Sequence, residues 1–215
     1  DTWDIFNFKI GAGYAHQYTR NNLQVSQRNG HYSETGLYSG IAATDWSWAP
    51  LWMDFDNDGR KDLFISNGIP KRMNDIDYVN FVSNEEVQQK INSNSMDEKN
   101  MALISKFPEI KLPNKFFSNN GNLSFTDDEA RVEGNEATYS NGAVYADFDN
   151  DGDLDMVINC LDAEATVLRN NSNPGNQLGI RFSGDSMNRF GIGAKMYLWA
   201  GGQLQFQQLM TTRGF

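Results

Sequence analysis

The sequence predicts a mainly β fold. About two copies of a strand unit stack as in the blades of a partial β-propeller or another stacked β repeat, with a short helical insert between them and a C-terminal β segment. Two observations carry this expectation. A nine-residue acidic run occurs twice between short apolar stretches, and a longer stretch built of Asn, a short strand, an Asn-Gly turn and an aromatic precedes each run. Composition agrees: 215 residues, 39% hydrophobic and 13% aromatic, suffice for one or two packed domains and argue against disorder.

The runs are Asp54-Phe55-Asp56-Asn57-Asp58-Gly59-Arg60-Lys61-Asp62 and Asp147-Phe148-Asp149-Asn150-Asp151-Gly152-Asp153-Leu154-Asp155, both reading D-F-D-N-D-G-x-x-D. A merely solvated acidic face needs no fixed order of Asp, Gly and apolar residues. Carboxylates at positions 1, 3 and 5 of a tight loop converge on one point, Gly at position 6 permits the sharp turn, position 7 offers a backbone carbonyl and position 9 closes the shell. Such a crowded oxygen cage suits calcium better than magnesium, which demands a smaller octahedron and keeps its waters. An EF-hand would need an acid at position 12 and flanking helices; position 12 is Ile65 or Ile158 here, and the flanks Leu51-Trp52-Met53, Leu63-Phe64-Ile65, Ala143-Val144-Tyr145-Ala146 and Met156-Val157-Ile158 read as strands.

The preceding stretches are Asn22 to Glu34 and Asn114 to Asp127, with 32 residues separating Asn22 from Asp54 and 33 separating Asn114 from Asp147. Residues 20–67 and 114–171 are therefore expected to superpose, apart from a one-residue difference near Asn122. A third opening, Thr166-Val167-Leu168-Arg169-Asn170-Asn171, follows the second run, and Gly11-Ala12-Gly13-Tyr14 is read as closing an earlier unit. Between the copies, Ser83-Asn84-Glu85-Glu86 and Ser95-Met96-Asp97-Glu98 have the capping-box form, with Val87/Ile91 and Met101/Ile104 at helical spacing until Pro108. The expected organisation is a first repeat at 1–70, a helical insert at 71–112, a second repeat at 113–172 and a C-terminal β segment at 173–215. Two blades cannot cover their own apolar faces, so further blades of the same chain are expected as partners.

Charge and residue types exclude other classes. Eighteen Lys and Arg against 28 Asp and Glu give a formal charge of -10, which repels nucleic acid and anionic membranes, and Lys71, Arg72, Lys111 and Lys115 form no basic run. Cys160 is the single cysteine and reads as a core thiol, while His16 and His31 are the two histidines, so a bound metal has oxygen ligands. No window of 18 apolar residues exists, and Asp1-Thr2-Trp3-Asp4 is no basic signal region, so neither direct membrane insertion nor an export signal within the chain is expected.

The two loops with their flanking strands resemble the FG-GAP/VCBS-type repeats of integrin-α-like β-propellers, whose loops bind calcium. The resemblance implies two Ca2+ sites. Their side-chain ligands would be Asp54, Asp56, Asp58 and Asp62, then Asp147, Asp149, Asp151 and Asp155, with backbone oxygen from Arg60 and Asp153. Asn176 to Phe182, Asn188 to Lys195 and Arg213-Gly214-Phe215 look like the start of an ASPIC/UnbV-type domain, a unit that follows VCBS repeats in bacterial exported proteins related to cartilage acidic protein; Phe215 would cut it short.

A non-catalytic calcium-binding module for adhesion, scaffolding or ligand binding follows, outside the cell, on its surface or in the periplasm, with another surface protein or a glycan as partner. Trp46, Trp48 and Trp52 are the aromatic candidates if exposed, although closely spaced strand tryptophans are more often core. The alternative is a secreted glycan-active hydrolase or lyase with its catalytic residues outside this segment. Within it there is no G-x-S-x-G, H-E-x-x-H, P-loop or dinucleotide fingerprint, so no catalytic residue is named and the chain is not expected to be an enzyme. With no basic residue inside it, the second loop is expected to depend on calcium more strongly than the first.

Overall fold

The structure is a computed structural model that describes residues 3–16, 18–71, 79–81, 83–93, 95, 105, 108–172, 178–212 and 214. The chain divides into two compact units, Asp1–Ala43 and Thr44–Phe215.

The first unit holds helix α1 (Trp3–Gly11) and an antiparallel hairpin of β1 (Gln24–Ser26) and β2 (Tyr32–Glu34). Asp4 in the first turn of α1 and Lys9 in the last complement the helix dipole, and no α1 residue is buried. The helix differs from the expectation that Gly11-Ala12-Gly13-Tyr14 closes a β unit: Gly11 is its last residue. Glu34 binds the hairpin to its surroundings, accepting from the backbone N–H of Gly36 at 2.6 Å and pairing with Arg20 at 3.1 Å.

The second unit is mainly β. A four-stranded sheet runs β3 (Ser47–Met53), β4 (Asp62–Asn67), β5 (Lys115–Asn119), β6 (Phe125–Asp127), and a three-stranded sheet runs β7 (Tyr139–Ala146), β8 (Asp155–Leu161), β9 (Thr166–Leu168). A third sheet pairs β10 (Lys195–Ala200) with β11 (Gln203–Gln208) through Gly201 and Gly202, both at positive φ as a two-residue hairpin turn requires. All pairings are antiparallel. The two larger sheets share one core: Ala49, Leu51, Met53, Phe64 and Phe116 from the first meet Ala143, Met156, Ile158 and Cys160 from the second. Cys160 is a buried core thiol, as read from the sequence. Strand β4, hydrogen-bonded on both sides, is buried along its whole length. Gly68 follows it at φ 134°, where a Cβ would stand 2.7 Å from the Tyr139 Cα, so only glycine lets the two sheets approach there.

Edge strand β3 alternates. Ala49, Leu51 and Met53 face the core, whereas Trp48 and Trp52 are exposed and Trp46 is half-buried. The tryptophans are thus not core residues; Pro50 shares their outward side, and Trp48 Nε1 donates to the Gly68 carbonyl at 2.8 Å.

Pairing registers recur at a constant separation of 93 residues. Gln24↔Glu34 corresponds to Phe117↔Asp127, Pro50↔Ile65 to Ala143↔Ile158, and Met53↔Asp62 to Ala146↔Asp155. On this register the residue equivalent to Asn114 is Asn21, not Asn22, and the expected one-residue difference near Asn122 disappears. Aligning on the Asn-Gly pair misleads because the turn slides: Gly30 has positive φ in one hairpin, Gly121 in the other, two register positions earlier. Strand β9 pairs with β8 as β5 pairs with β4, so the third opening at Thr166 occupies the place of Lys115.

Within the insert, helix α2 (Glu85–Asn92) is capped by Asn84, whose side chain accepts from Glu86 and Val87 N–H, rather than by Ser83. Val87 is its buried residue. The second capping box, apart from Ser95, and the Met101/Ile104 pair lie outside the described residues. Among the described residues no helix is long and apolar enough to cross a membrane.

Candidate metal centre

Both acidic runs lie between antiparallel strands, β3 and β4 in one case and β7 and β8 in the other. No EF-hand helix flanks either. Each loop folds on its own carboxylates. In the first, Asp54 accepts from the N–H of Asp58 at 3.1 Å and of Gly59 at 3.0 Å, Asp56 from Asp58 at 3.1 Å, and Asp58 from Arg60 at 2.8 Å. In the second, Asp147 accepts from Gly152 at 3.2 Å, Asp149 from Asp151 at 3.3 Å and Asp151 from Asp153 at 3.3 Å. Positions 1, 3 and 5 thus each brace the backbone of their own turn. Positive φ falls on position 4 (Asn57 59°, Asn150 62°) and position 6 (Gly59 87°, Gly152 99°). The asparagine at position 4 suits its place because Asn tolerates the left-handed region better than most residues.

Position 9 has a second task. Asp62 Oδ2 accepts from Phe55 N–H at 3.0 Å and its Oδ1 from Asn119 N–H at 2.8 Å; Asp155 Oδ2 accepts from Phe148 at 2.9 Å and its Oδ1 from Asn170 at 2.9 Å. Each buried carboxylate pins the start of its loop to the end of the neighbouring strand. Asn170 also donates its side-chain N–H to the Phe55 carbonyl at 2.7 Å, which ties the second loop's surroundings to the first loop.

The structure brings together one carboxylate oxygen each from Asp54, Asp56 and Asp62, and from Asp147, Asp149 and Asp151, within 4.8 Å of one another in each group. Asp58 and Asp155 stand outside these groups. Asp58 is turned to the Arg60 guanidinium, and Asp155 to its two backbone donors. The second loop does not lack a cation: Arg169, just beyond β9, places Nε 2.8 Å from Asp149 and Nη2 3.4 Å from Asp151. The expected difference in self-repulsion between the loops is therefore reduced by a residue outside the run.

Burial pushes the Asp62 carboxyl up to about 6 and raises that of Asp54. Asp153, 1% exposed, is also pushed up to about 6, by burial first and then by the neighbouring Asp151 carboxylate, and its Oδ1 is buried without a hydrogen-bond partner. The N–H of Asp153 holds the Asp151 carboxyl below its usual range. An all-oxygen donor set, converging carboxylates, an orphaned buried oxygen in the second loop and a guanidinium already drawn to two of its carboxylates fit a hard divalent cation.

The two loops border one groove of about 660 Å³, with Asp54, Lys61, Tyr145 and Asp147 on one side and Met196 and Gln205 of the C-terminal hairpin on the other. The hairpin lies against the first loop, since a Cβ on Gly59 would stand 2.6 Å from Gln205 Nε2. No curated protein matches the chain. The resemblance read from the Asn188–Lys195 stretch is borne out for the C-terminal segment: residues 184–215, including β10 and β11, match the family described as ASPIC and UnbV.

Proposed function

We propose that this chain is a calcium-binding, non-catalytic module of FG-GAP/VCBS type, with the β3–β6 and β7–β9 sheets as two propeller blades, serving adhesion, scaffolding or ligand binding in an exported or cell-surface protein. Support comes from the loops above all: the same nine-residue order occurs twice, with the same hydrogen-bond pattern and three converging carboxylates in each. Calcium would offset the negative charge that remains on each loop and lock its turns.

Asp54, Asp56 and Asp62 would hold one ion and Asp147, Asp149 and Asp151 the other. Asp58 and Asp155 would join by turning an oxygen from their present partners, and the backbone carbonyls of Arg60 and Asp153 would complete the shells. Millimolar calcium outside cells would keep loops of this kind filled, which favours an extracellular, cell-surface or periplasmic location. The exposure of Trp48 and Trp52, the latter against Phe125 at a ring separation of 5.9 Å, supports an aromatic contact surface for a glycan or another surface protein.

Calorimetric titration of the chelated protein with calcium chloride tests this reading. Two binding steps are expected, each abolished by asparagine at positions 1 and 3 of its loop, and absence of any binding overturns it. A hydrolysis screen against glycans separates the module from a glycan-active enzyme, and turnover would decide for the latter.

A further inference from the structure

We propose that Arg169 is an intramolecular competitor for the cation of the second loop and weakens that loop's affinity below what its carboxylates alone would provide, which makes the two sites unequal. This deepens the calcium reading and rests on it. In Asp149 and Asp151 one oxygen, Oδ1, already accepts a backbone N–H, from Asp151 and Asp153 respectively. Arg169 takes Oδ2 of both. A cation entering between Asp147, Asp149 and Asp151 would draw on the carboxylates that Arg169 holds, and it repels the guanidinium, so the two positive groups compete for them.

The arginine is placed for that exchange. Its backbone is anchored by the next residue, since Asn170 donates to Asp155 through its N–H and to the Phe55 carbonyl through its side chain. Its own side chain is 64% exposed, so it can swing into water when displaced. Among the described residues no arginine bridges two of the converging carboxylates of the first loop. The register that equates Asn170 with Asn119 puts Ser118 in the place of Arg169, and Ser118 hydrogen-bonds Asp128 instead. Arg60, the arginine within the first loop, pairs with Asp58, which lies outside the converging Asp54, Asp56 and Asp62.

The test is calcium chloride titration by calorimetry of the chelated chain, the Arg169→Gln chain and the Arg169→Lys chain, each also carrying Asp54→Asn and Asp56→Asn so that the second loop alone is read. The same comparison in chains with an intact first loop, resolved as two steps, serves if the first-loop changes impair folding. Arg169→Gln should tighten calcium binding about three- to tenfold, the range expected from two partly exposed ion pairs, and Arg169→Lys should fall between because an ammonium cannot fork across two carboxylates. Unchanged or weaker binding in a folded Arg169→Gln chain overturns the proposal while leaving the calcium reading intact. Calcium binding by no variant, with both loops intact, overturns the calcium reading and this inference with it.

Discussion

Replacing Asp62 by alanine should destabilise the protein even without any metal, whereas replacing Asp56 should not. Asp62 is fully buried and is the acceptor for two backbone donors, Phe55 N–H at 3.0 Å and Asn119 N–H at 2.8 Å. Each buried donor left unpaired costs about 1–3 kcal/mol, so the gross loss is about 2–6 kcal/mol. The low end, about 2 kcal/mol, is expected at pH 7, because the ionised carboxylate already carries a desolvation cost that shows in its pKa of about 6. Asp56 is exposed and braces one N–H, that of Asp58, which Asp54 also accepts, so its removal in chelator should stay within about 0.5 kcal/mol. In calcium both variants should additionally lose metal stabilisation. Urea unfolding in EDTA and in calcium, with unchanged m-value, measures all four differences. If the two variants unfold at the same urea concentration in EDTA, the claim that position 9 pins the loop to the neighbouring strand is wrong.

Chelation should lower the melting temperature of the intact chain: calcium a hundredfold above its Kd stabilises by about 2.7 kcal/mol, and at about 2–4 °C per kcal/mol the shift is about 5–10 °C. A melting curve unmoved by EDTA would refute calcium linkage. In EDTA, Asp62 and Asp153, both pushed up to about 6, keep protons in the folded chain that the unfolded chain has lost. Their contribution to stability is complete below about pH 4 and is lost as pH rises through about 6, while calcium affinity should rise over the same window. A metal-free melting temperature that increases from pH 5 to 7, with the same slope in Asp62→Asn, would contradict this. Gly68→Ala should destabilise by more than about 1 kcal/mol, because its φ of 134° and the 2.7 Å approach to Tyr139 leave no room for a Cβ; an unchanged unfolding midpoint would show that the sheets can part there.

The loops and their flanking strands were legible because local rules dictate them. An order of carboxylates, an asparagine and a glycine at this spacing favours a tight turn braced by its own side chains, and the apolar flanks are too short for helices. The direction of β3 was not legible, since Trp48-Ala49-Pro50-Leu51-Trp52-Met53 is apolar on both faces and alternation alone cannot choose which face meets the core. Helix α1 escaped because no apolar stripe marks it; none of its residues is buried. Arg169 escaped for another reason: its partners Asp149 and Asp151 lie across β8, and only the pairing of β8 with β9 brings them together.

Asp62 and Asp155 show why loop and sheet are one cooperative element. Each is the first residue of its strand, β4 or β8, so its carboxylate stands where the loop ends and the ladder begins. One oxygen accepts from position 2 of the loop, the other from a residue at or just beyond the end of the adjacent strand, Asn119 or Asn170. A cation drawing on position 9 would therefore act on three segments that are far apart in sequence, and opening the loop requires loosening the strand end beside it. In an EF-hand, by contrast, loop closure reorients helices. Here the flanking strands are already fixed by their neighbours, so binding would stabilise the existing sheet more than it would move anything. That makes such loops suited to holding a surface in shape, and the melting temperature, more than any conformational change, is the observable that should report their occupancy.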